Sequence, residues 1–260
     1  MSFDRRDFLA LGTAMAAGTV FGPISAALSH TGGHEEEGEA GKAGGEIKES
    51  RASAKNSWGM VIDVNKCGSG CTACVDACKK ENNIPEFHDP LLDIHWIRKI
   101  TFKQKGVPNA EERSLPAMCF HCEHPPCAHV CPVAATFVRK DGIVLVDKHR
   151  CIGCRYCMIA CPYKARSFVS KHVEPKPGDN PDVPVRMHGV VEKCTFCVHR
   201  IDSGMEPACV EACKKEGSGA MTFGDFADPK SAISKQVRTS KARQIRPDLG
   251  CNPRVFYMGV

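Results

Sequence analysis

An α+β fold of short strands, short helices and long loop insertions, laid out as two similar halves, is predicted by three features of this 260-residue chain. Cysteine is the first: of 17 residues, all but one fall into four groups of four. The second is a shortage of apolar mass. Hydrophobic residues make up 42% and aromatics 7%, and setting the cysteines aside leaves too little for a self-sufficient core. The third is a repeated order of short strand-like and helix-like segments around each cysteine group. The composition excludes a collagen-like chain, a coiled coil and a polytopic membrane protein. Something other than side chains is expected to fill the middle.

The chain opens with Arg5-Arg6-Asp7-Phe8-Leu9 and an uncharged run from Ala10 to Leu28. Adjacent arginines, Phe-Leu and a weakly apolar stretch resemble a twin-arginine (Tat) export signal, expected over residues 1–29. A membrane anchor is the alternative, but Gly12, Gly18, Gly22 and Pro23 suit lipid poorly, and Ser25-Ala26-Ala27-Leu28-Ser29 suits cleavage. Residues 30–57, with Glu35-Glu36-Glu37 and Gly44-Gly45, offer almost nothing to bury and read as a flexible linker. The folded domain is expected over 58–260. Beyond the signal, no stretch is long and apolar enough to cross a membrane, so attachment there is expected through partners.

Each cysteine group is framed by short elements. Strands are expected at 59–64, 136–140, 143–147, 166–170 and 221–224, with Asp141-Gly142 as a two-residue hairpin turn. Helices are expected at 74–80, 154–160, 195–201 and 208–214. Strand, cysteine loop, helix and strand, repeated in this way, predict tandem ferredoxin-like halves, that is, two double-cluster ferredoxin modules. The inserts at 81–116 and 172–190 are rich in Pro, Asp and Lys and read equally as partner-contacting loops or solvated excursions.

The groups are Cys67-x3-Cys71-x2-Cys74-x3-Cys78, Cys119-x2-Cys122-x4-Cys127-x3-Cys131, Cys151-x2-Cys154-x2-Cys157-x3-Cys161, and Cys194-x2-Cys197-x11-Cys209-x3-Cys213. In the third, three cysteines two residues apart let a loop wrap three corners of one [4Fe–4S] cubane. The fourth lies a helical turn further on and reaches a second cluster. Such sites come in reciprocal pairs, and four groups make two pairs. Structural zinc would want two C-x2-C pairs per ion. Disulfides would strain the short loops, and export of a protein folded around its cofactor removes the oxidising-compartment argument for them. Attached c-type haem needs C-x-x-C-H, which no pair here provides.

Charge supports clusters. Residues 58–260 hold 29 Lys+Arg and 22 Asp+Glu, a formal +7. Four oxidised clusters with thiolate ligands carry about −2 each, so the basic residues read as counter-charge and not as a nucleic-acid surface. Gly68-Ser69-Gly70-Cys71-Thr72-Ala73 fits a relaxed dinucleotide fingerprint, but its cysteine belongs to a cluster loop. His121, His124 and His129 sit among the second group and read equally as tuning or as packing residues. No nucleophile–base pair or paired-carboxylate site is recognisable. No catalytic residue and no substrate site are therefore expected.

Residues 58–260 resemble the four-cluster iron–sulfur subunits of the dimethyl-sulfoxide-reductase type (DmsB/NrfC-like). The four groups carry that resemblance, with His121-Cys122-x2-Pro125-Pro126-Cys127-x3-Cys131-Pro132, Glu192-Lys193-Cys194-Thr195-x-Cys197 and Pro207-Ala208-Cys209-x3-Cys213. It implies four [4Fe–4S] clusters. Cys67, Cys71 and Cys74 would share one with Cys213, and Cys194, Cys197 and Cys209 one with Cys78. Cys119, Cys122 and Cys127 would join Cys161, and Cys151, Cys154 and Cys157 would join Cys131. Two departures stand out: the first group opens with x3 through Gly68-Ser69-Gly70, and Lys in place of Pro follows Cys78 and Cys213. The cluster at Cys67 is the one where a three-iron form or an altered potential is the alternative.

Within that family, an exported subunit with its own twin-arginine signal is most similar to the DsrO type of the DsrMKJOP complex of sulfur metabolism. The resemblance implies a periplasmic protein, peripheral to the cytoplasmic membrane. It would relay single electrons between an NrfD-type, quinone-interacting integral membrane subunit and partners such as a multihaem cytochrome c or further iron–sulfur subunits. The alternative is the electron-transfer subunit of a molybdopterin tetrathionate- or polysulfide-type reductase, or of a nitrite reductase system. Two rival readings are an enzyme, suggested by Cys251 and the x3 loop, in which an open iron or a nearby pocket reduces a small sulfur oxyanion, and a structural zinc module.

Overall fold

The computed structural model describes residues 52–103, 105–106, 109–239 and 241–260. The expected signal (1–29) and residues 30–51 of the expected linker lie outside the described residues. Strand β1 (Trp58–Asp63) begins after a turn in which Ser57 N donates to the Asp225 carboxylate at 2.7 Å. Met60, Val61 and Ile62 are all buried, the run of a strand covered on both faces. It forms the centre of a three-stranded sheet. Strand β8 (Met221–Asp225) pairs with it antiparallel, Met60 opposite Phe223, and β9 (Val255–Met258) pairs parallel, Met60 opposite Val255.

Helix α1 (Ala73–Glu81) follows the first cysteine loop, with Asp76 in its first turn and Lys79 and Lys80 in its last, as the helix dipole favours. It packs on α5 (Ala208–Lys215), so the first and last cysteine groups meet although they are far apart in sequence. The middle groups meet in the same way. There α2 (Pro126–His129), opened by Pro at its first position, packs on α3 (Tyr156–Ala160). Between them β4 (Thr136–Val138) and β5 (Val144–Val146) form an antiparallel hairpin. Helix α4 (Val198–Asp202) lies in the fourth group, and α6 (Ala232–Thr239) covers the sheet. The α+β class holds.

Several expectations shift by a few residues. The hairpin turn spans Lys140–Gly142: Arg139 N donates to Ile143 O at 2.8 Å and Gly142 N to Arg139 O at 2.9 Å. This is a three-residue loop closed by Gly142 at φ +86°. Helices α3 and α4 start later than expected because Arg155 (φ +64°), Phe196 (+56°) and Cys197 (+52°) hold the left-handed conformation, which no helix continues through. The strand expected at 166–170 narrows to β6 (Ser167–Phe168), paired with β7 (Val191–Glu192).

The inserts differ more. Residues 81–116 contain most of a six-residue antiparallel hairpin, β2 (Ile97–Phe102) and β3 (Arg113–Met118). With Ile94 and Trp96 it contributes buried side chains to the core. The hairpin covers the enlarged first loop: Ser114 Oγ donates to Gly68 O at 3.2 Å, and Lys99 Nζ to the same oxygen at 3.1 Å. In residues 172–190, Arg186 is buried and pairs with Glu192 at 2.7 Å. One continuous core takes in Cys74, Cys78, Cys119, Cys122, Cys161, Cys194, Cys209 and Cys213 beside its aliphatic and aromatic residues. Among the described residues no helix is long and apolar enough to cross a membrane.

Candidate metal centres

Helical spacing explains how the thiols are delivered. Residues i and i+4 lie on one face a turn apart. Cys74 and Cys78 both point inward from α1, as Cys209 and Cys213 do from α5. Each helix therefore serves two neighbouring sites. At the first, burial raises the Cys74 thiol to about 11; Lys99 opposes that, and Cys213, Cys67 and Cys71 alongside add to it. At the second, burial lifts Cys209 well above its ordinary value, reinforced by Cys197, Cys78 and Cys194, with Cys74 further off.

The third set is Cys119, Cys122, Cys127 and Cys161: burial raises Cys122, and Cys119, Cys251, Cys127 and Cys161 push it further. In the fourth, burial raises Cys157; Arg166 opposes that, and Cys151 and Cys131 add to it. Cys154, between Cys151 and Cys157 in the chain, is the exposed cysteine of the 17. Its loop needs Gly153, which sits at φ +69° where a Cβ would stand 2.2 Å from Gly189 O.

The sets form a row. Cys74 and Cys78, a turn apart, join the first to the second. Burial raises the Cys194 thiol to about 12, and Cys119 of the third set alongside adds to it. Cys127 and Cys157, from the third and fourth, share an apolar pocket with Val191. Interior thiols are buried, while Cys67, Cys71 and Cys154 at the two ends reach the surface in part or fully.

The donor set and its surroundings fit iron–sulfur clusters. Thiols raised by burial stay protonated alone, and iron takes them as thiolates by displacing the proton. Two buried cations also lack a carboxylate partner among the described residues. Arg166, 6% exposed, donates through Nη1 to Thr136 Oγ1 at 3.2 Å, while its Nη2 meets no acceptor and Cys127, Cys157 and Cys119 surround it. Lys193, 2% exposed, donates to the carbonyls of Val144 and of Cys194, the latter at 2.8 Å. The adjacent Glu192 turns instead to Arg186 and, at 3.0 Å, to Lys148. Unpaired buried cations are costly, and anionic clusters beside them would offset that cost.

Polar hydrogens also reach sulfur. Lys99 Nζ lies 2.9 Å from Cys67 Sγ, Phe196 N 3.4 Å from Cys194 Sγ, and Asn82 Nδ2 3.7 Å from the sulfurs of both Cys78 and Cys197. Sequence reasoning passes over Lys99, Asn82 and Arg166; the i+4 step from Cys78 to Asn82 on a ligand helix is a signal that could have found one. His121 is a packing residue. It is fully buried, stacks on Phe196 at 3.8 Å and accepts from Val144 N at 3.1 Å, and burial holds it neutral. His124 and His129 are exposed. The spare Cys251 is buried beside Cys161, with its thiol 3.6 Å from Leu249 O. A cavity of about 510 Å³ backs onto Asn82 and Lys193, and two of its ionisable walls are committed elsewhere: His199 to Glu81 and Asp202 to Arg139, each at 2.7 Å.

Comparison with known proteins agrees with this chemistry. A family model described as a 4Fe-4S dicluster domain matches residues 111–176 and 182–226. The chain is 45% identical to the Hdr-like menaquinol oxidoreductase iron-sulfur subunit 1 of Archaeoglobus fulgidus, across 97% of each chain. It is 38% identical to the menaquinone reductase iron-sulfur cluster-binding subunit of Nitratidesulfovibrio vulgaris, covering 78% of this chain and 89% of that one. With a tetrathionate reductase subunit of Salmonella typhimurium it shares 37% identity over 80% of this chain and 74% of the other.

Proposed function

The chain belongs to the DmsB/NrfC-like iron–sulfur subunits, electron carriers of oxidoreductase complexes that hold [4Fe–4S] clusters, and we propose that it relays electrons between a quinone-interacting membrane subunit and periplasmic redox partners. The observation that carries this is the row of four thiol sets, buried in its interior and reaching the surface at both ends. The ligands are those of the resemblance: Cys67, Cys71, Cys74 and Cys213; Cys194, Cys197, Cys209 and Cys78; Cys119, Cys122, Cys127 and Cys161; Cys151, Cys154, Cys157 and Cys131. Two double-cluster ferredoxin modules are the matching architecture, with outer groups paired through α1 and α5 and inner groups through α2 and α3.

When bound, the clusters take up and pass on single electrons. The chain's own residues exclude water from the interior sets, place Arg166 and Lys193 as counter-charge, and aim N–H groups at sulfur. No substrate site of its own belongs to this reading. Similarity to two quinone-reacting complexes favours a DsrMKJOP-type assembly, with this chain in the DsrO place beside an NrfD-type subunit and a multihaem cytochrome c. Residues 1–29 would export the folded, loaded protein, leaving it peripheral to the periplasmic face of the membrane.

Similarity to the tetrathionate reductase protein supports a second reading, the electron-transfer subunit of a molybdopterin reductase. Affinity purification from solubilised membranes separates the two. Co-purification with an integral membrane subunit and a haem protein, and reduction of the clusters by menaquinol, is the expected result. A molybdopterin subunit in their place would select the second reading.

A further inference from the structure

We propose that Asn82 is a positioning residue that sets the reduction potential of the second cluster in the row, by directing its side-chain amide at two of that cluster's sulfurs. The inference rests on the ligand assignment above, in which Cys78 and Cys197 hold the same cluster. Asn82 is 1% exposed and closes the last turn of α1. Its Nδ2 lies 3.0 Å from Cys78 O and 3.7 Å from each of Cys78 Sγ and Cys197 Sγ. The Cys78 carbonyl can only accept, so it fixes which end of the amide faces the sulfurs: the nitrogen, with its two hydrogens.

The backbone that carries this amide is held in place. Arg186 Nη2 donates to Asn82 O at 3.2 Å and Nη1 to Asn83 O, while its Nε is held by Glu192 at 2.7 Å. Asn83 and Asn180 bond one another at 2.8 and 3.0 Å, tying the turn after α1 to the 172–190 segment. Both sulfurs and the amide are buried. There an N–H dipole is poorly screened and interacts more strongly with charge than it would in water. Reduction adds one negative charge to the cluster, shared among its sulfurs. A fixed N–H stabilises that state more than the oxidised one, so Asn82 raises the potential. Bridging ligands from two groups far apart in sequence, it acts on one cluster and leaves the other three.

The test is a redox titration of the loaded full chain followed by EPR. In Asn82→Leu, alike in branching and without an N–H, the potential of one cluster is expected to fall while three stay, with iron content unchanged. Asn82→Asp, which keeps the size and places an anion at the sulfurs, is expected to lower the same potential at neutral pH. Cys78→Ser identifies the cluster, since the signal it perturbs must be the one that shifts. If Asn82→Leu fails to load iron, pulsed EPR of the unaltered protein decides. A ¹⁴N coupling on that cluster that is present in the unaltered protein and lost in Asn82→Asp, beyond the coupling from Phe196 N, supports the proposal, and identical couplings in the two proteins overturn it. Unchanged potentials in loaded variants also overturn it. A shift on a signal that Cys78→Ser leaves alone would instead overturn the ligand assignment.

Discussion

A ligand carries its chemistry in its identity, so the sixteen grouped cysteines are readable one residue at a time. Asn82, Arg166 and Lys193 are not. Each is an ordinary polar residue until the fold buries it beside sulfur, and burial is what turns its N–H groups into a determinant of cluster energetics. The seventeenth cysteine makes the same point in reverse. Its position near the C-terminus suggests a bystander, and Cys251, though buried beside Cys161, turns its thiol to a carbonyl. Cys154→Ser is expected to remove or degrade one cluster, read as a loss of iron and of one EPR signal. Cys251→Ser is expected to retain the full iron content, because its sulfur is a neighbour and not a member of the set. An unchanged iron content in the first variant, or a lost cluster in the second, would reverse those roles.

Elements that touch the cysteine groups are legible in the sequence to within a few residues, and those made by the inserts are not. Strand β2 reads Ile-Arg-Lys-Ile-Thr-Phe, without clean alternation, and β3 carries Pro116, which argues against a strand when seen alone. Pairing decides them, with Leu115 opposite Ile100 and Met118 opposite Ile97. The 172–190 segment likewise looks solvated because its Pro, Asp and Lys residues outnumber its apolar ones. It nonetheless carries Arg186, whose buried ion pair with Glu192 clamps the turn after α1, and Asn180, which bonds Asn83 there. Removing one partner of a buried pair leaves the other charge uncompensated. Glu192→Gln is therefore expected to destabilise the loaded protein by roughly 3–5 kcal/mol, measured as a lower denaturant midpoint. The second cluster's potential should shift along with it, since Asn82 loses its anchor.

At the scale of the molecule, eight of the grouped cysteines are buried in one core with its aliphatic and aromatic side chains. Iron removal by a chelator is therefore expected to collapse near-ultraviolet dichroism and expose apolar surface, beyond simply bleaching the protein. Reloading should weaken as pH falls. Uptake of iron must displace a proton from every thiol it takes as thiolate. Strong reloading at low pH would show that the thiols do not give up protons to the metal. Cysteine spacing and composition by themselves determined that this chain binds iron–sulfur clusters, because ligand identity and loop length are local properties. Only the tertiary structure decided the rest: that the four sets stand in a row with both ends at the surface, and that Asn82, Arg166 and Lys193 lie against the cysteine groups. Those facts depend on contacts between residues distant in the chain, α1 on α5 and β1 beside β9, which no local pattern encodes.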